Sequence, residues 1–380
     1  MDFLFTEEQE MIRQAARDYA ERELIKDVLQ RDEKGEIPYE HVRNLRDLGF
    51  FGMMVSPEWG GGGMDNISYS LAIEELAKVD AAMAVILSVH NSLACYGIEK
   101  FGNDQQKEKY LRPLASGEKI GAFLLSEPEA GSDATSQRTT GEDKGDHYLV
   151  NGTKNWITSA SLGSVYLVMV QTHPEKGHHG INALIIDKDT PGITLAPHED
   201  KMGMRSSDTH SVMFTDVKVP KENRIGEDGF GFKFAMKLLE GGRVSIAAQA
   251  TGIAAGAMER AVKYSRERKA FGKLLSEHQA IAFKLADMAV KIEASRNFVY
   301  KAAWLKDQGL PFGLAGAMAK QFAADSAMDI TTEAVQVLGG YGYVKEYHVE
   351  RLMREAKLTQ IYEGTSEIQK IVISRAILKD

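Results

Sequence analysis

The chain has one cysteine in 380 residues, so no disulfide can form within it and a reducing compartment is its natural home. That residue, Cys95, falls in the apolar run from Met83 to Ile98 and reads as a buried, inert thiol. Basic charge is in the minority, with 46 Lys and Arg against 54 Asp and Glu and a net charge of −8. The cations are scattered among acids rather than gathered into a stripe, which excludes nucleic acid as a partner; an anionic ligand needs a local basic pocket. No apolar run approaches the ~20 residues that span a bilayer, so no membrane insertion is expected. Met1 to Thr6 offers neither a basic stretch nor a long apolar core, which points to the cytoplasm; a mitochondrial matrix origin after processing is the alternative. A dinucleotide fingerprint is missing as well, because Gly229 and Gly231 lack the third glycine. His178 and His179 lie in a Gly-flanked loop without acidic or thiol partners, so no metal site is expected.

What is present is length and periodicity. A chain of 380 residues exceeds the ~250 to 300 at which single cores stop growing, so two or three domains are expected. Residues 1–118 read as helices, opened by a capping box at Thr6 and Gln9, with Pro38 to Leu48 stopping at Gly49 and Asn103 with Gln106 capping a later segment. Residues 119–231 change to strand-like runs, at Ile120 to Leu125, Tyr148 to Asn151, Val165 to Thr172, Ile181 to Asp187 and Ser211 to Val219. Asn151-Gly152 between two such runs predicts a hairpin turn. From residue 232 to 380 the helical period returns, through Val244 to Arg266, Glu277 to Gln308, Phe312 to Leu338 and Ser366 to Leu378, enough for a four-helix bundle. The expected fold is mainly α, with a central antiparallel, barrel-like β domain.

Four segments could carry chemistry, each with a plain structural alternative. Phe123 to Asp133, through Leu125, Ser126, Gly131 and Ser132, runs a strand into a loop of small and hydroxyl residues where backbone can approach a flat ligand; it could equally be a long connection. Trp156, Ile157 and Thr158 offer an aromatic face beside a hydroxyl, or simple core packing. Arg266 to Gln279 gathers cations around Gly272, and Arg268 could grip a pyrophosphate or lie in a solvated loop. Gln336 to Gly342 is a Gly-rich helix end that could meet phosphate, or merely stop the helix. Glu363, in Ile361-Tyr362-Glu363-Gly364-Thr365-Ser366, stands between an apolar pair and a glycine, where an isolated glutamate would ordinarily be surface.

In their order along the chain these segments resemble the acyl-CoA dehydrogenase family from end to end. Leu125 to Asp133 is similar to the family's first signature, and Gln336 through Gly339, Gly340, Gly342, Glu346, Arg351 and Glu355 to its second. The phrase Ile361 to Ser366 resembles its catalytic segment. The resemblance implies FAD bound by Phe123, Leu125, Ser126, Gly131, Ser132, Trp156, Ile157 and Thr158, with its ring against Phe123, Leu125 and Ser126 and near Trp156 and Thr158. Arg268, Phe271, His278, Gln279, Gln336, Gly339 and Gly340 would then hold the phosphates and adenosine of a neighbouring subunit's flavin, within a homotetramer. Thr365 and Glu367 would meet FAD near the base. Ser132, Glu240, Arg243, Tyr362 and Gly364 would line the acyl-CoA channel, and electron-transfer flavoprotein is the implied redox partner. Some relatives place the catalytic glutamate just before the arginine of the first bundle helix; here that position is Gly242, which leaves Glu363 as the base.

The expected reaction is removal of the α-proton beside a thioester while hydride leaves the adjacent carbon. A free glutamate near pKa ~4.3 is a weak base, and burial with an acyl chain raises it toward neutrality. The Glu363 backbone N–H and a flavin ribityl hydroxyl are the implied donors to the thioester oxygen. The pattern is nearest to short-chain, butyryl-type members, with a short branched acyl-CoA as the alternative substrate. Rival readings are an acyl-CoA oxidase on the same scaffold and a non-catalytic acyl-CoA-binding scaffold.

Overall fold

A computed structural model describes residues 4–379; the stretch opening at Met1 lies partly outside them. Eight helices come first: α1 Glu7–Arg22, α2 Val28–Lys34, α3 Tyr39–Asp47, α4 Asn66–Ala77, α5 Ala81–Ser88, α6 Tyr96–Phe101, α7 Asp104–Gln106 and α8 Arg112–Ala115. Both capping boxes are present, at Thr6 with Gln9 and at Asn103 with Gln106. A π-helical stretch, Val89–Cys95, fuses α5 and α6 into one continuous rod. Ala81–Phe101 is long and apolar enough to cross a bilayer, against the expectation that no run would be, but 94% of its apolar window is buried within the protein, so it serves as core.

The middle of the chain forms β1 Gly121–Leu124, β2 Thr140–Asp143, β3 His147–Thr158, β4 Val165–Gln171, β5 Ile181–Asp187, β6 Ile193–Leu195, β7 Thr209–Pro220 and β8 Arg224–Ile225. They join in the order β6-β7-β3-β2-β4-β5-β8, with β1 also on β4. This sheet is mixed rather than wholly antiparallel, because β1 pairs parallel with β4, as does Thr140 of β2 with Gln171. The hairpin expected at Asn151-Gly152 is absent. Instead β3 runs straight through, with a register shift against β7 between Val150 and Gly152. Gly152 is needed there for another reason: at φ +145° its missing Cβ would fall 2.6 Å from the Thr139 Cα, so it lets two backbones touch. A two-residue turn with both φ values positive does occur, at Phe271-Gly272, joining β9 Lys269–Ala270 to β10 Lys273–Leu274.

The remaining helices are α9 Gly231–Glu267, α10 Gln279–Asp307, α11 Gly313–Leu338, α12 Val349–Thr359 and α13 Ser366–Ile377. The expected four-helix bundle is thus joined by α12, where Arg351 and Glu355 form a buried pair one turn apart. Positive φ values at Gly272, Gly309 and Gly339 mark the breaks between helices. One large hydrophobic core runs without interruption from α1 through α4 and α5 into α9, α11 and α12; a smaller one fills the β layer. Close packing across the first is enabled by Gly252 and Gly256 on α9, where a Cβ would lie 2.2 and 2.3 Å from the carbonyl oxygens of Glu74 and Lys78.

Candidate active site

The loop between α12 and α13 presents Glu363 to the interior. Its backbone is left-handed, φ +51°, followed by Gly364 at +91°, a conformation that favours glycine and is strained for glutamate. The loop is tied from several sides. Lys320 Nζ on α11 donates to the Gly364 carbonyl at 2.7 Å, and Gln369 Nε2 donates to the same oxygen at 2.8 Å. Asp325, also on α11, accepts from Gln360 at 2.7 Å and from Ser366 at 3.0 Å, on either flank of the loop. The Thr365 hydroxyl caps α13 through the Ile368 N–H. Both Glu363 carboxylate oxygens are shut off from solvent, and neither has a hydrogen-bond partner among the described residues. Burial pushes this carboxyl up to about 7, and the charges of Lys320 and then Arg243 restrain the rise.

Facing it on α9 is Gly242, where a Cβ would stand 1.9 Å from Glu363 Oε2 and 3.3 Å from a Leu93 methyl in the π-helical stretch. The next residue, Arg243, is buried with its Nε unpartnered, and burial lowers its pKa while Glu240 and Glu363 favour its charge. Glu240 is half-buried beside Gly313. The Tyr362 hydroxyl donates to Gln249 Oε1, which turns that ring into the core and leaves its neighbour Glu363 free. Of the residues expected to line a substrate channel, Tyr362 and Gly364 flank Glu363 in its loop and Arg243 interacts with both Glu363 and Glu240, whereas Ser132 is exposed on a loop of the β domain.

A second group lies in the β domain. The Ser126 carbonyl accepts from the Asn155 N–H at 2.8 Å, which brings the loop after β1 against the end of β3. Lys154, wholly buried, clamps that loop by donating to the Leu125 carbonyl at 3.1 Å, Glu127 at 2.7 Å and Gln137 at 3.1 Å. Glu127 in turn accepts from the Arg138 and Thr139 N–H groups. Trp156 then stands 62% exposed at φ +61°, beside buried Ile157 and half-buried Thr158, with Phe123 and Ser126 half-buried, Leu125 buried and Gly131 exposed. A large aromatic side chain held outward on strained backbone beside clamped backbone fits the flat ring that the sequence implies.

The third group sits elsewhere. Arg268 ends α9, its guanidinium 5.7 Å from the Tyr341 ring, and with Gly339 and Gly340 it lines a surface cavity of about 560 Å³. Phe271, at φ +50°, is 98% exposed; His278 bonds the Ala270 carbonyl at 3.0 Å, and Gln279 and Gln336 are exposed. Arg243 and Arg268 are 25 residues apart on the same helix, about 37 Å at 1.5 Å per residue, so this group lies far from Glu363 of its own chain. Thr365 is half-buried in the same loop as Glu363, and Glu367 is exposed.

Three features of the site are not signalled as such in the sequence: the Lys154–Glu127 clamp, the tie from Lys320, and the contact between Gly242 and Glu363. The first two leave an indirect trace, since Lys154 and Lys320 each put a charge on a buried face, Lys320 in the stripe of Gly316, Ala317, Ala323, Ala324 and Ala327.

Comparison with known proteins finds relatives along the whole chain. The N-terminal, middle and C-terminal domain families of acyl-CoA dehydrogenase match residues 6–118, 122–217 and 229–378. A short-chain specific acyl-CoA dehydrogenase of Clostridium acetobutylicum is 49% identical over 379 residues, covering all of both chains. Butyryl-CoA dehydrogenase of Megasphaera elsdenii is 49% identical over the full length of both chains with a TM-score of 0.98. A chain from a structure described as the electron transferring flavoprotein of Acidaminococcus fermentans matches equally fully, at 49% identity and a TM-score of 0.99. The buried glutamate, the clamped aromatic shelf and the three matching domains together make this chain a member of the acyl-CoA dehydrogenase family.

Proposed function

We propose that the protein catalyses the FAD-dependent α,β-dehydrogenation of a short-chain acyl-CoA to its trans-2-enoyl-CoA, with Glu363 as the base that takes the α-proton. The carrying observation is the state of that carboxyl, sealed from solvent, unpartnered and raised to about 7. A base near the working pH combines a useful ionised fraction with real proton affinity. Its own N–H has no partner among the described residues, which leaves it able to donate to the thioester oxygen as negative charge gathers there. Arg243 adds positive charge to the same space, and Gly242 keeps that space open. FAD, when bound, supplies the acceptor for the hydride that leaves the β-carbon. Phe123, Leu125, Ser126, Trp156, Ile157 and Thr158 would hold its ring.

The short chain length rests on the relatives at 49% identity named for short-chain and butyryl substrates. Electron-transfer flavoprotein is the acceptor of electrons in this reading, supported by the full-length match to the Acidaminococcus structure. A homotetramer completes it, supported by two observations. The Arg268 group is farther from Glu363 of its own chain than an extended dinucleotide reaches, and Phe271, Phe283 and Val290 are exposed around α10. Cytoplasmic residence belongs to the same proposal and rests on the single buried cysteine.

Anaerobic mixing with butyryl-, octanoyl-, palmitoyl- and isobutyryl-CoA, followed by flavin bleaching, tests reaction and substrate together; butyryl-CoA is expected to bleach fastest. Glu363→Gln is expected to bind flavin and acyl-CoA yet lose turnover by about 10² to 10⁴. The wild-type kcat/KM is expected to fall below pH about 7, as protonation of Glu363 removes the base. Wild-type rates in Glu363→Gln would sink the assignment.

A further inference from the structure

Among the described residues, Lys320 is fully buried on α11 and its ammonium makes one hydrogen bond, to the carbonyl of Gly364. Burying an ammonium is costly, and a neutral amide could make the same bond without that cost. The arrangement makes sense if the charge has a task. The strongest attraction acting on Lys320 comes from Glu363, ahead of that from Asp325, with Arg243 opposing and Glu367 attracting more weakly. The Glu363 carboxylate accepts no hydrogen bond from any described residue, so charge acting through space is what steadies its ionised form. Burial brings the ammonium down to about 8, which leaves it mostly protonated at neutral pH.

We propose that Lys320 is a positioning residue for the reaction: it fixes the left-handed Glu363-Gly364 turn through the Gly364 carbonyl, and its charge sets the pH at which the base becomes available. The proposal rests on Glu363 being the base. The mechanical part follows from the strain of the left-handed Glu363 backbone, which persists only where the surroundings over-determine it. Gln369, bonded to the same carbonyl, shares that task but carries no charge. For the electrostatic part, the groups facing Glu363 are Arg243 on α9, Lys320 on α11, Tyr69 on α4 and Tyr362 beside it in the loop. Arg243 is itself drawn to Glu240 more than to Glu363, whereas Lys320 has Glu363 as its foremost partner.

Three variants separate the two parts: Lys320→Met removes bond and charge, Lys320→Gln keeps a donor without charge, and Lys320→Arg keeps both. The readout is the acid limb of kcat/KM against pH with butyryl-CoA, on protein of matched flavin content. In Lys320→Met and Lys320→Gln the limb is expected to move up by about one unit or more, the scale of losing a nearby opposite charge. Turnover at high pH is expected to recover further in Lys320→Gln than in Lys320→Met, and Lys320→Arg is expected to hold the limb in place. A limb unmoved in Lys320→Gln, or displaced as far in Lys320→Arg, overturns the proposal. Failure of all three variants to fold would assign Lys320 to bundle stability alone and overturn it too. Glu363→Gln is run alongside: normal turnover there rejects the base itself, whereas loss there with an unmoved limb in the Lys320 variants rejects only the present inference.

Discussion

At the scale of residues, Gly242 and Glu363 occupy the two halves of one contact. A single methyl at position 242 would overlap a carboxylate oxygen, and the Leu93 side chain closes the other side. Gly242→Ala is therefore expected to lower kcat/KM for butyryl-CoA at least tenfold by turning the base aside. Its neighbour supplies the control, because a Cβ at Gly241 meets only the flexible tip of Lys306 at 3.0 Å. Gly241→Ala should keep most activity, and equal losses in the two variants would refute the contact as the cause. The sequence identified Gly242 as unable to serve as a base, yet not as the space that another base needs. That fact depends on how the 361–365 loop folds back on α9, a contact between residues 121 positions apart that periodicity does not report.

At the scale of elements, the segments with a regular period were legible. The first helix, the four expected bundle helices and most strands fall where the apolar pattern places them, and Gly339 ends α11 within the Gly-rich stretch expected to stop it. Misreadings came where one residue type serves two purposes. Asn151-Gly152 carries a turn signal, yet Gly152 relieves a backbone collision inside β3, while the tight turn at Phe271-Gly272 gives no signal because phenylalanine rarely adopts positive φ. The parallel pairing of β1 was likewise unreadable, since strand direction is set by long-range partners. The loop after β1 depends on the buried Lys154–Glu127 pair. Lys154→Met should lower the unfolding free energy by about 3 to 5 kcal/mol, because it strands a buried carboxylate. Adding Glu127→Gln should restore part of it, as read from denaturant midpoints. Unchanged stability in the single variant would mean that the pair does not hold the loop.

At the scale of the whole molecule, the three sequence segments share two hydrophobic cores rather than three, since the first helices and the bundle pack as one body. The outer face of α10 remains uncovered, with Phe283 and Val290 two turns apart. Val290→Glu is expected to shift sedimentation from a four-subunit mass to a smaller one and to lose flavin in parallel; a wild-type protein that sediments as a monomer would refute the assembly. The long helix α9 bears on this, because it carries Arg243 in its first half and leads into Arg268 at its far end. In a tetramer that shares its flavins, each such helix contributes to two catalytic centres, its own and a neighbour's. Damage at one end is then felt by a different subunit from damage at the other. Mixing a chain impaired at Arg243 with one impaired at Arg268 would therefore regenerate some wholly sound centres, a rescue unavailable to an enzyme whose subunits each keep a private cofactor.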